Sequence, residues 1–174
     1  MRLTVEATDH VQGPDHAPNT LIEYGDFECP TCRVAVAPVK MLLERFPQQI
    51  RFVYRHFPLE EAHSHALLAA EAAESAGAQG KFWQMHDLLF NHQNHLKPAD
   101  LLRYGGELGL DVARFKNDLD DHIYLQRVRE HIADGRRLHL RATPTFFVNG
   151  TLTDVSFGMS ALHEAVVQAV EQYR

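Results

Sequence analysis

Two kinds of hydrophobic spacing alternate along this chain, and the places where they change divide it into elements. Residues 20–24 form a mostly apolar run that Gly25-Asp26 ends, which predicts a buried strand. From Pro30 the apolar residues Val34, Val36, Val39, Leu42, Leu43 and Phe46 recur at helical spacing until Pro47 stops the pattern. One long helix is expected there, kinked at Pro38, where a backbone donor is missing. Residues 50–57, rich in β-branched and aromatic side chains, predict the next strand, so the opening reads β-α-β with a parallel sheet.

Between residues 58 and 142 no run resembles a strand, and Ala, Leu, Glu, Gln and His dominate. The pattern predicts helices over 62–76, 81–91, 98–108, 112–119 and 123–138, with Gly77, Gly80, Gly105-Gly106 and Gly109 near their ends. Strand character returns at Thr143-Pro144-Thr145-Phe146-Phe147-Val148. Asn149-Gly150 is a two-residue hairpin signal with a partner strand expected over 151–155. Ser160 is expected to cap a last helix whose apolar residues Leu162, Ala165, Val166, Ala169, Val170 and Tyr173 recur at three and four. The first twenty residues hold a short strand over 3–5 and then a polar arm with turns at Gly13-Pro14 and Ala17-Pro18-Asn19. The order β-α-β, helical block, β-β-α is an α/β fold. Residues 1–57 and 143–174 are expected to form one domain and residues 58–142 an inserted all-helical domain.

At 174 residues, 45% hydrophobic and 23% charged, the chain can bury a core without metal or disulfide staples. A net charge of -6 without a Lys/Arg cluster speaks against nucleic acid or an anionic membrane as partner. No apolar run is long enough to insert in a membrane, and the first ten residues lack the apolar stretch of a signal peptide. If the numbering begins at the natural start a cytoplasmic address is expected, and a periplasmic one only for a processed form. In a reducing cytosol two cysteines are more often catalytic, redox-sensing or metal-binding than structural.

Those two cysteines form Cys29-Pro30-Thr31-Cys32, at the junction of the first strand and the long helix. A disulfide is exchanged by attack of a thiolate, so the chemistry needs a thiol of lowered pKa and a second thiol one turn away. Cys29, at the helix N-terminus, is the expected nucleophile, and Cys32, more buried, the resolver. The rival readings are a zinc half-site and two inert cysteines. Zinc needs four ligands, and there is no second C-x-x-C, although His92 and His95 have loose metal spacing. No cofactor is expected. His56, His63, His65 and His86 are expected to be surface or helix-packing residues, and no metal site is built on them.

Two further residues fit the redox reading. Glu23 is an acid on an apolar strand six residues before Cys29, costly to bury without a reason, and a proton acceptor for Cys32 would be one. Pro144 opens an internal strand although it cannot donate to the ladder. A cis Thr143-Pro144 bond would leave the Thr143 backbone facing a substrate.

The segment from Glu23 through Gly25-Asp26-Phe27-Glu28-Cys29-Pro30-Thr31-Cys32 resembles the DsbA-like thiol:disulfide oxidoreductases of the thioredoxin superfamily. So do Gly80-Lys81-Phe82-Trp83-Gln84-Met85-His86-Asp87 and the stretch from Thr143 to Gly150. The resemblance implies a thioredoxin-like fold interrupted by the helical domain, a nucleophilic Cys29, a resolving Cys32, a buried acid at Glu23 and a cis-proline at Pro144. Pro30, Thr31, Thr143 and Pro144 would then line the substrate site. The expected partners are protein or peptide thiols and disulfides and a redox partner that the sequence does not name. Thr31 stands where the strongest periplasmic oxidant of the family has His, so a less oxidising couple is expected. A disulfide isomerase and a non-catalytic metal- or peptide-binding module are the alternatives.

Overall fold

The structure is a computed structural model and describes residues 3–173. In chain order its elements are β1 (His10–Gln12), β2 (Asn19–Gly25), α1 (Pro30–Arg45), β3 (Ile50–His56), α2 (Ala66–Ala78), α3 (Phe82–Asn91), α4 (Pro98–Glu107), α5 (Val112–Asp120), α6 (Leu125–Arg137), β4 (Thr145–Val148), β5 (Thr151–Thr153) and α7 (Ser160–Glu171). The chain divides into two compact units: Met1–Gly25, Val34–Arg55 and Ala142–Arg174 in the first, Asp26–Arg33 and His56–Arg141 in the second. The cysteine pair therefore belongs with the helices.

The first unit is built on a sheet of order β1-β3-β2-β4-β5. Leu21, Ile22, Glu23 and Tyr24 of β2 are buried in succession, as in a strand covered on both faces. The β-α-β unit sets β2 beside β3, whereas β1–β3, β2–β4 and β4–β5 are antiparallel, so the expected parallel sheet is mixed. Helix α7 packs on β2, β4 and β5. Pro38 lies inside α1, which runs on through it to Arg45. Of the apolar residues that predicted this helix, Val34 faces solvent; its buried stripe is Cys32, Ala35, Val39 and Leu42.

Three local expectations are corrected. The strand expected over 3–5 is not formed; the edge strand is His10–Gln12, which places Val11 opposite Val53. A three-residue, half-exposed strand carries too little alternation to be read. Gly13 follows it at φ +90, and a Cβ there would sit 2.6 Å from the Ile50 carbonyl oxygen, so the exit from β1 requires glycine. The partner of the Asn149-Gly150 hairpin stops at Thr153, because the Asp154 carboxylate accepts from the Ser156 backbone N–H at 2.8 Å and turns the chain. Ser160 does not cap α7: it is the first helical residue, and Met159 holds the cap position.

The arm before β2 is fastened by Arg55. Its Nε and Nη2 donate to the two carboxylate oxygens of Asp9 at 3.0 and 2.7 Å, its Nη1 to the Tyr24 hydroxyl at 3.0 Å, and Nη2 also to the Thr4 carbonyl at 2.7 Å. The Arg55 and Asp9 side chains are 3% and 0% exposed, so this is a buried, bidentate ion pair.

In the second unit α2 packs against α3, α4, α5 and α6. Its buried Ala66, Ala69, Ala70, Ala72, Ala73 and Ala76 keep the helix slim enough for that many neighbours. The helix begins at Ala66, later than its composition suggests, because the Glu28 carboxylate takes the backbone N–H of His65 at 2.8 Å and fixes the start.

Candidate active site

The chain between β2 and α1 is a turn organised by Asp26. This side chain is fully buried, and its Oδ1 accepts from the Glu28 N–H at 2.7 Å. Its Oδ2 accepts from the Leu59 N–H at 2.8 Å and from His63 Nδ1 at 2.7 Å. The Asp26 carbonyl accepts from Cys29 N–H at 3.1 Å, and the Cys29 carbonyl from Arg33 N–H at 3.2 Å. Cys29 is thus the cap residue of α1, and Pro30 takes the first helical position, where its missing N–H costs nothing.

Phe27 and Gln93 hold the turn from below. The Phe27 ring is 1% exposed and lies 4.9 Å from Phe90 and 5.9 Å from His86 between ring centres. Gln93 Nε2 donates to the carbonyls of Phe27 and Cys29 at 2.9 and 2.8 Å.

Cys29 is 6% exposed and Cys32 not at all, so the outer sulfur is the one an incoming disulfide can reach. Cys29 Sγ lies 3.0 Å from the hydroxyl of exposed Thr31. When Cys29 is a thiolate this hydroxyl is the donor, so Thr31 supports the negative sulfur through a hydrogen bond where a His would use charge. The helix N-terminus adds its partial positive charge.

Sequence reasoning missed the carboxylate and imidazole pairs beside the cysteines. His63, expected as a surface or packing residue, is anchored by Asp26, and His65 Nδ1 lies 3.2 Å from Glu28. Burial works against a charge on His63, but the hydrogen bond to Asp26 and the negative charges of Asp26, Cys29 and Glu28 outweigh it and raise its pKa above the ordinary imidazole value. The available signal was Asp-x-Glu directly before the cysteines and His-Ser-His in the next connection, opposite charges that a fold could bring together.

His56 and His86 are buried, not superficial. His56, Glu74 and His131 bring ligand atoms within 4.8 Å of one another, a set that invites comparison with a metal site. The donor chemistry does not fit a cation. His131 Nδ1 accepts the His56 backbone N–H at 3.1 Å, so the neutral ring carries its proton on Nε2 and neither nitrogen offers a lone pair. His56 Nε2 is 3.0 Å from Glu74, completing a hydrogen-bonded core cluster.

Glu23, Thr143 and Pro144 lie in the first unit. Glu23 is 3% exposed at the centre of β2, paired in register with Phe146. Thr143 is buried, the Thr143-Pro144 bond is cis, and the Thr145 hydroxyl donates across it to the Ala142 carbonyl at 2.8 Å.

Comparison with known proteins agrees with this fold. The family model Thioredoxin_4, described as thioredoxin, matches residues 5–168. A thioredoxin-like oxidoreductase from Silicibacter pomeroyi DSS-3 superposes with a TM-score of 0.83 at 29% identity, over 95% of this chain and 94% of that one. Oxidised BdbD from Bacillus subtilis superposes with a TM-score of 0.84 at 23% identity, over 92% of each chain. In sequence the chain is 50% identical, over 92% of its length, to part of the Na(+)/H(+) antiporter NhaA 1 of Salinispora arenicola (strain CNS-205), and spans 24% of that protein. It covers about a quarter of the curated relatives it matches. With its mixed sheet, helical unit and C-P-x-C at the head of α1, the chain belongs to the thioredoxin family as a DsbA-like member of the thioredoxin superfamily.

Proposed function

We propose that the protein is a thiol:disulfide oxidoreductase that cycles between a Cys29-Cys32 dithiol and disulfide. The observation that carries this is the arrangement at the head of α1: Cys29 at the cap and partly accessible, Cys32 one turn inside and inaccessible. When the dithiol acts as reductant, the Cys29 thiolate attacks one sulfur of a substrate disulfide, and the other sulfur leaves as a thiolate. Cys32 then gives up its proton and attacks Cys29 Sγ, breaking the mixed disulfide and releasing the second substrate thiolate. Two electrons pass to the substrate, and each departing thiolate takes up a proton. The reverse sequence oxidises a substrate dithiol.

In this reading Glu23 accepts the Cys32 proton, and the backbone at Thr143, beside Pro144, pairs with an extended substrate segment as an added strand would. Pro30 and Thr31 border the same substrate. Protein or peptide thiols and disulfides are the substrate class in this reading. Cation transport belongs to the whole of the antiporters that this chain resembles in part. Among the described residues no helix is long and apolar enough to cross a membrane.

The test is equilibration in graded glutathione buffers, acid quenching and thiol counting, beside an insulin-reduction assay. A single two-electron transition between dithiol and disulfide, with catalysed insulin reduction, is expected. A protein that keeps both thiols at every glutathione ratio would refute the proposal.

A further inference from the structure

The turn that carries Cys29 contains more electrostatic machinery than its folding needs. Asp26 already has two backbone donors, from Glu28 and Leu59, which suffice to shape the turn. His63 is a third donor to the same buried carboxylate, and it brings an ionisable ring that remains 22% exposed. Asp26 joins the two residues: its Oδ2 accepts from His63 Nδ1 at 2.7 Å and its carbonyl accepts the Cys29 N–H at 3.1 Å, and the charges of Asp26, Cys29 and Glu28 all favour a protonated His63. His65 faces Glu28 from the start of α2. Burial alone opposes a positive charge on His63, and these groups together outweigh it.

We propose that His63, oriented by Asp26, is a positioning residue that supplies the cation for the Cys29 thiolate, forming an imidazolium–thiolate pair in the dithiol state that is lost when the disulfide forms. This rests on the exchange reading of Cys29 and adds to it the group that sets the reactivity of the sulfur. It answers the question raised by Thr31, which occupies the place where a charged side chain could stand within the C-P-x-C: the charge comes from the connection after β3 instead. The pairing is reciprocal. An imidazolium that favours the thiolate is itself favoured by it, and forming the disulfide removes the negative partner.

That reciprocity gives a test on the unaltered protein. The pH titration of His63 is followed by NMR in the dithiol and in the disulfide forms. The expected midpoint is higher in the dithiol form, by about one pH unit for a partner at this degree of exposure. Equal midpoints would overturn the proposal. A second measurement maps alkylation of the reduced protein across pH by mass spectrometry. His63→Gln, which keeps a donor for Asp26 but loses the charge, should slow Cys29 labelling near pH 6 about tenfold. His63→Arg should restore it. A merely structural His63 would leave the Gln variant unchanged and the Arg variant the worse of the two. If the dithiol exchanges with glutathione normally while the midpoints coincide, the His63 proposal alone fails. If no disulfide forms at all, the exchange reading falls and takes this with it.

Discussion

Gln93 ties the loop after α3 to the turn that carries Cys29: its single amide nitrogen donates to the carbonyls of both Phe27 and Cys29, at 2.9 and 2.8 Å. The second of these carbonyls also accepts the first hydrogen bond of α1. A side chain far along the sequence thus sets the angle at which the chain enters the helix that presents Cys29. Gln93→Ala is expected to cost about 1 kcal/mol in urea denaturation. Gln93→Glu, which turns an acceptor toward two carbonyls, should cost more than Ala. Equal stability of all three proteins would show the bridge to be incidental.

Arg55 is the second prediction. Replacing it with Met strands the Asp9 carboxylate in a buried setting and removes the donor to Tyr24, so a loss of about 3–5 kcal/mol is expected in equilibrium unfolding. Changing Asp9 to Asn in the same chain should recover part of it, because the stranded charge is then gone. A double variant less stable than Arg55→Met alone would contradict this account of the N-terminal arm.

Stability is expected to depend on pH through His63. Its folded pKa lies above the unfolded value of about 6.5, so its contribution is complete below that pH and is lost as pH rises through the folded value. Urea midpoints of the dithiol protein measured across that window should fall, and His63→Gln should flatten the slope. An unchanged profile in the variant would mean that other groups carry the dependence.

Glu23 is expected to serve proton transfer and not folding alone. Glu23→Gln keeps the size and hydrogen-bonding capacity of a buried residue in β2 while removing the base. The expected result is slower insulin reduction with a near-unchanged denaturation midpoint. An exchange rate identical to that of the parent across pH would leave Glu23 with a structural part only.

The strands and helices that bury strong periodic faces were legible from the sequence, as β2, β3, α1 and the Asn149-Gly150 turn show. That turn has φ of 51 and 83 at its two residues, as the dipeptide requires. What escaped had weak local signal. The edge strand at His10–Gln12 is short and half-exposed, and the start of α2 is set by Glu28 from a distant part of the chain. The same limit applies to the site. Cys29 and Cys32 announce themselves by spacing, but Asp26, His63, His65 and Gln93 acquire meaning only through contacts over more than thirty residues, and no local period encodes those.

The most direct test of the central claim is a trap. Cys32→Ser removes the resolving sulfur and leaves Cys29 able to attack, so incubation with oxidised glutathione or a disulfide-bonded peptide should yield a stable mixed disulfide. Peptide mapping by mass spectrometry should place it on Cys29, and the parent protein under the same conditions should instead close the Cys29-Cys32 disulfide. A Cys32→Ser protein whose Cys29 thiol stays unmodified would contradict the account.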